Sequence, residues 1–323
     1  MRRQSIKHFR LTVGVLLGLS IAMCAAADGS PKEVPVFVSI VPQRYFVEKI
    51  GGDLVDVSVM VEPGASPHDY EPKPRQMAAL AKAKIYYAVG IEFDKVWLKK
   101  FCDANPEMLV VHTERGVEKI SLKTHHHDQD KGEGSHGKTA HHPEKAAGKH
   151  GEKDPHSLHH GIKDPHIWLS PVTVMVQARN ILMGLLTVDP DHRSTYEANY
   201  KEFIIELVDL DADIREVFAG GEGRTAFMVF HPAWGYFADA YGLEQVPVEI
   251  EGKDPKPAEL QYLIDNAKKQ GIRVVFVTPQ FSTKSAETVA NAIGGQIVFV
   301  NPLALSWKAN LIEVAEKFRA ALR

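Results

Sequence analysis

PVTVMVQARNILMGLLTVDPDHRSTYEANYKEFIIELVDLDADIREVFAGGEG, residues 171–223, is the stretch whose reading decides the fold. Apolar side chains recur at helical spacing through Val174, Ala178, Ile181 and Leu185, then through Tyr196, Tyr200, Phe203, Leu207, Leu210 and Ile214. Pro171 sits where a first helix starts, Asp191 is near the start of a second, and Gly220, Gly221 and Gly223 end the segment. More than 40 residues therefore pass without a strand, whereas strands and helices alternate on both sides.

Upstream, residues 34–41, 54–61, 84–89 and 108–111 read as strands, and 43–50, 74–83 and 94–102 as helices. Downstream, strands fit 226–230, 243–250, 272–277 and 296–300, and helices fit 234–241, 257–270, 283–293 and 306–322. Such alternation implies largely parallel sheets covered by helices on both faces. The expectation is an α/β protein of two lobes, 34–170 and 224–323, joined by a helical connector over 171–220. A cleft between lobes is where a ligand is sought first.

Residues 119–163 break the first lobe's pattern. They hold few large apolar side chains and cannot bury enough surface to offset their ordering entropy, so they read as a mobile loop. The N-terminus has another character. Arg2, Arg3, Lys7 and Arg10 precede a short apolar run from Leu11 to Met23, and Ala25, Ala26 and Ala27 follow. That is the layout of a secretory signal peptide over 1–27, which places the mature chain in the periplasm. A competing reading takes Cys24 as a lipid anchor, although Met23 fits a lipoprotein signal poorly. No second apolar run is expected to approach the 18 residues of a membrane span.

Cleavage after Ala27 leaves Cys102 as the one cysteine, so no internal disulfide can form, and its expected place is buried in a helix. Losing the four basic residues leaves 34 Lys+Arg instead of 38 against 41 Asp+Glu, a formal charge of −7 instead of −3. This balance argues against nucleic acid as a partner and is compatible with a cationic ligand.

Ten of the 16 histidines crowd into the loop: His125, His126, His127, His136, His141, His142, His150, His156, His159 and His160. Imidazole offers a nitrogen lone pair suited to zinc, copper and nickel, and flexible spacing allows several weak, exchangeable sites. Three other histidines keep different company. His68 lies in PGASPHDYEP (63–72), His166 in DPHIWLSP (164–171) and His231 in HPAWGYF (231–237). Each stands beside the end of an ordered element, with prolines that stiffen the local backbone. Asp69 and Asp164 are candidate hydrogen-bond partners for the imidazoles. Trp168, Trp234 and Tyr236 read as packing around the cleft.

These three motifs, in this order, resemble those of the solute-binding proteins of zinc and manganese ABC importers. The likeness continues through the His-rich insertion, the connector and EGKDP (251–255). The resemblance implies two lobes linked by one long rigid helix, with the metal held between them by His68, His166 and His231. It implies further that the chain is a monomeric receptor delivering Zn²⁺ to an inner-membrane permease with a cytoplasmic ATPase. Manganese-type members usually carry a carboxylate where this chain has His231, and three nitrogen ligands favour zinc.

Two departures from the family pattern leave the fourth ligand open. Asn301 stands where many relatives have a carboxylate, and Pro67 where some zinc-type members have a glutamate. Water or a loop histidine is the expected occupant. KDPH also occurs twice, at 153–156 and 163–166, but only the second copy continues into Ile167-Trp168-Leu169.

The competing functions are a manganese or iron receptor, a zinc hydrolase, and a zinc buffer or adhesin without an importer. A hydrolase needs a base beside a metal-bound water, and the sequence contains neither HExxH nor Gly-x-Ser-x-Gly. Glu71, Glu249 and Glu251 are its loosest candidates. Histidine ligation carries its own expectation, that metal affinity falls as pH drops through about 6.5.

Overall fold

The computed structural model describes residues 33–122, 163–220, 223–249 and 253–323. The signal-peptide segment with Cys24, the ten loop histidines, and Glu251 with Gly252 lie outside the described residues.

The first half runs β1 (Val34–Val38), α1 (Val41–Gly51), β2 (Val55–Val59), α2 (Pro74–Leu80), β3 (Ile85–Ala88), α3 (Glu92–Ala104) and β4 (Leu109–His112). Two helices follow, α4 (Pro171–Val188) and α5 (Arg193–Phe218). The second half runs β5 (Ala226–Val229), α6 (Gly235–Ala240), β6 (Glu244–Pro247), α7 (Pro257–Lys269), β7 (Val274–Val277), α8 (Lys284–Ala292), β8 (Gln296–Phe299) and α9 (Trp307–Ala321). Four helices carry proline in their first turn, at Pro42, Pro74, Pro171 and Pro257. The missing N–H costs nothing there.

Each half forms one four-stranded parallel sheet, ordered β2-β1-β3-β4 and β6-β5-β7-β8. Inner strands such as IYYA and VVFV are apolar along their length because helices cover both faces. The loops that follow the strands of a parallel sheet collect along one edge. The strand order reverses between β1 and β3, and again between β5 and β7, which opens a crevice outside the strand C-termini in each lobe.

The helix that links the lobes is α5, whose 26 residues span about 39 Å at 1.5 Å per residue. It packs on α1, α4 and α9. The partner helix α4 lies against β3, β4 and α1. Gly184 permits that approach, since a Cβ there would stand 2.7 Å from both Ile85 Cδ1 and Tyr87 Oη. The Tyr87 hydroxyl is itself held by donating to the Ile181 carbonyl, 2.8 Å away.

One core cluster runs through both lobes, from Val36 and Phe46 to Phe276 and Phe318, and a smaller one covers the far face of the second sheet. β5 divides between them at period two: Phe227 and Val229 face the shared core, Met228 the other. Two indoles lace the halves together. Trp168 Nε1 donates to the Pro302 carbonyl, and Trp307 Nε1 donates to the Trp168 carbonyl, each at 2.7 Å.

Two expectations are corrected. Pro171–Val188 does reach 18 residues with the apolar composition of a membrane span, yet half of it is buried inside the protein, so it is a core helix. Cys102 is exposed: Phe93, Asp94 and Phe101 form the buried face of α3, and one residue beyond Phe101 the helix has turned away.

Gly184→Val should lower the unfolding free energy by about 2 kcal/mol through overpacking against Ile85 and Tyr87. Urea denaturation measures it, and an unchanged midpoint would mean that α4 can slide off the sheet.

Candidate metal centre

Seven loops following strands of the two sheets converge on a cleft of about 620 Å³ lined from both lobes. Pro67 and His68 come from the loop after β2, Gly90 and Ile91 from the turn after β3, and His166 from the segment preceding α4. Opposite them lie His231 after β5, Glu249 after β6, Gln280 and Phe281 after β7, and Pro302 and Leu303 after β8.

His231 leaves β5 directly and is buried, with 8% of its surface exposed. Its Nδ1 lies 2.8 Å from Glu249 Oε2. A carboxylate accepts and does not donate, so the proton sits on Nδ1 and Nε2 is left as a bare lone pair. His166 repeats the arrangement from the first lobe. It is 7% exposed, and its backbone N–H and its Nδ1 both reach Asp164 Oδ1, at 2.9 and 2.7 Å. Asp164 is itself buried and fixed: its carbonyl accepts from Tyr236 Oη at 3.0 Å, and its N–H donates to the Ile120 carbonyl at 3.0 Å. Gly235 makes room for it, because a Cβ there would fall 2.3 Å from Asp164 Oδ2.

The two imidazoles meet across the cleft, Nε2 to Nε2, at 3.3 Å. When both rings are neutral with their protons on Nδ1, as the facing carboxylates favour, two lone pairs face each other. A cation placed between them relieves that repulsion. Two nitrogens at 2.0–2.1 Å from a tetrahedral zinc stand about 3.3–3.4 Å apart, which is the separation found.

His68 enters from the more exposed loop, whose turn uses Gly64 at φ 83°. Its ring centre lies 5.3 Å from that of His231, and Phe281 covers both rings at 6.0 and 5.0 Å. Among the described residues, no group of three or more His, Cys, Asp or Glu side chains is already gathered tightly enough to hold a metal ion. The pair is set; the third ring approaches it.

Burial holds the His231 pKa below the usual histidine value against the opposing pull of Glu249. Partial desolvation, then the charges of His231 and His166, lower that of His68. Both rings are thereby kept neutral, the form that binds metal. The chain's acidic excess is not concentrated at the mouth of the cleft, whose lining includes Lys95, Lys119 and Lys163 alongside Glu92.

The structure brings His68, His166 and His231 into one cleft, as expected. Asp164 is a hydrogen-bond partner of His166, as read, while Asp69 acts on His68 through its charge. Trp168 lines the cleft 5.2 Å from the His166 ring, and Trp234 and Tyr236 are buried packing residues. Asn301 turns away from the cleft lining, its Oδ1 accepting from Leu303 N at 3.0 Å and from Gln280 Nε2 at 2.8 Å. Glu249, a remote candidate base by sequence, instead faces His231 Nδ1, and Gln280 joins it in the lining without any motif to mark it. Their signal was positional only, a polar residue shortly after an apolar strand.

Known proteins share this fold and family. The family described as zinc-uptake complex component A, periplasmic (ZnuA) matches residues 36–317. The high-affinity zinc uptake system protein ZnuA of Bacillus subtilis (strain 168) is 30% identical over 285 residues, covering 86% of this chain and 81% of that protein. A crystal structure of ZnuA superposes with a TM-score of 0.76 at 39% identity, covering 90% of this chain and 99% of that one. A zinc-bound deletion mutant of ZnuA gives the same score and identity, covering 90% and 98%. The chain belongs to the ZnuA family of zinc-uptake proteins.

Proposed function

We propose that this chain is an extracytoplasmic zinc receptor whose three protein ligands are His68, His166 and His231. It captures Zn²⁺ and passes it to the permease of an ABC-type importer with its cytoplasmic ATPase, acting as a monomer. The observation that carries the reading is the pair of histidine Nε2 atoms 3.3 Å apart at the meeting of the lobes, each ring backed by a carboxylate at Nδ1. Family membership supports it. The lobe boundaries proposed are 34–170 and 224–323 around a connector at 171–220, with export directed by 1–27 and weak zinc collection by the loop histidines.

Three imidazoles favour zinc over manganese or iron, which take more oxygen. Solute binding accounts for the carboxylates better than hydrolysis does. Asp164 and Glu249 are each committed to the Nδ1 of a ring, so neither is placed as a free base. Their two negative charges instead offset the two positive charges of the ion at one remove.

Calorimetric zinc titration of the chain and of H68A, H166A and H231A tests the assignment. The parent should show one tight equimolar site, weakened more than about a hundredfold in each variant, since even residues that only support a ligand are worth about 10–100-fold. Parental binding in all three variants would overturn it.

Glu249→Gln should weaken that site by about 10–100-fold, because a neutral amide no longer fixes the His231 tautomer. Equal dissociation constants for E249Q and parent would show that Glu249 has no such role.

The lowered pKa of His68 and His231 shifts the acid limit. Protons compete with zinc only below the folded-state pKa, so affinity should hold through pH 6.5 and decline at more acid pH. The metal-free protein should begin to lose stability earlier, as pH falls through the unfolded-chain histidine value of about 6.5, because the unfolded chain takes up protons that the folded site resists. A midpoint at or above 6.5 in a pH series of zinc titrations would contradict the depressed values.

A further inference from the structure

His166 and His231 are held by carboxylates, whereas His68 depends on the loop that carries it. That loop is tied at its neck by one side chain. Met60 and Val61, where it begins, still belong to the first sheet: their N–H groups donate to the Val38 and Ser39 carbonyls at 2.9 and 3.0 Å. Gln76, in the first turn of α2, reaches back to this fixed backbone. Its Nε2 donates to the Met60 carbonyl at 2.6 Å, and its Oε1 accepts from the Lys73 N–H at 2.9 Å. A carbonyl only accepts and a backbone N–H only donates, so both ends of the amide are assigned. The same Oε1 accepts from the Tyr70 hydroxyl at 2.9 Å. Tyr70 stands two residues beyond His68, and its ring lies 6.1 Å from that of the buried Phe93 in α3.

One buried amide thus joins the start of the loop, its end and Tyr70. Glu62 closes the neck a second time, to Lys73 and, at 2.6 Å, to Arg75. Those two bases are exposed, and ion pairs of that kind contribute little. The tip between has only bonds internal to itself, Ala65 N–H to the Glu62 carbonyl at 3.1 Å and His68 N–H to Ser66 Oγ at 3.2 Å. Two residues of chain span at most about 7 Å, so the place of Tyr70 limits how far the His68 backbone can swing. We propose that Gln76 is the positioning residue of His68, holding the neck and Tyr70 so that only the tip moves and the ring returns to the His166–His231 pair. The inference rests on the three-histidine reading and extends it.

The test uses the full chain with Gln76→Leu and Tyr70→Phe, and reads zinc affinity by calorimetry and amide exchange of the metal-free protein. Q76L should keep one equimolar site but weaken it about tenfold, the low end for a residue that supports a ligand from behind. Exchange should quicken in residues 61–73 and stay parental in the strands of the first sheet, a pattern that a general loss of stability would not give. Added to H68A, Q76L should cost no further affinity, because the ring it places is gone. Y70F spares the buried amide, should shift affinity in the same direction, and decides the case where Q76L does not fold. Parental affinity in the folded variant, an equal loss in the H68A background, or faster exchange throughout the lobe would overturn the role of Gln76 while leaving the receptor reading intact. A parent with no equimolar site would overturn both.

Discussion

Two imidazole nitrogens, one from each lobe, face each other across 3.3 Å, and a carboxylate stands at the other nitrogen of each ring. Much else in the cleft follows from keeping them so. A neutral histidine can place its proton on either nitrogen, and Asp164 and Glu249 remove that freedom. Each carboxylate is in turn positioned by backbone. Asp164 is tied to Ile120 and Tyr236, and Glu249 N–H donates to the Phe230 carbonyl at 3.0 Å, beside the strand end that carries His231. The site is thus specified by hydrogen bonds one step removed from it.

An inter-lobe contact of this kind needs lobes that hold their distance. The shared core, the long α5 and the Trp168–Pro302 and Trp307–Trp168 hydrogen bonds bind the halves near the cleft itself. Trp307 also packs edge-on against Phe46 of α1, with ring centres 4.9 Å apart, so the last helix of the second lobe is seated on the first. A hinge would have to break these contacts together. The loop bearing His68 is more exposed and less tied, which makes it the cheaper element to move when an ion enters or leaves.

Strands and helices were legible in the sequence because each carries its own periodicity, and their ends fell within a few residues of those observed. The three histidines were legible because rigid, proline-rich motifs surround them. Glu249 and Gln280 were not, since a polar residue after an apolar strand has no local mark that separates it from a surface residue. Only the convergence of strand C-termini, a property of sheet order, brings them to the cleft. The exposure of Cys102 is set by helical phase relative to Phe101, which thiol chemistry does not reveal.

Asn301 illustrates how a missing charge can be part of the design. A carboxylate there would add a third anionic group beside Asp164 and Glu249 and hold an ion more firmly. The amide instead turns its oxygen to Leu303 N–H and to Gln280. In the proposed site, three imidazoles with two carboxylates behind them would balance the charge of a divalent ion without placing an anion on it. A protein that must surrender its ligand gains from that arrangement. An ion bound as proposed would be held by nitrogen geometry, which protons or a partner's ligands can contest one bond at a time, and not by a closed shell of charge.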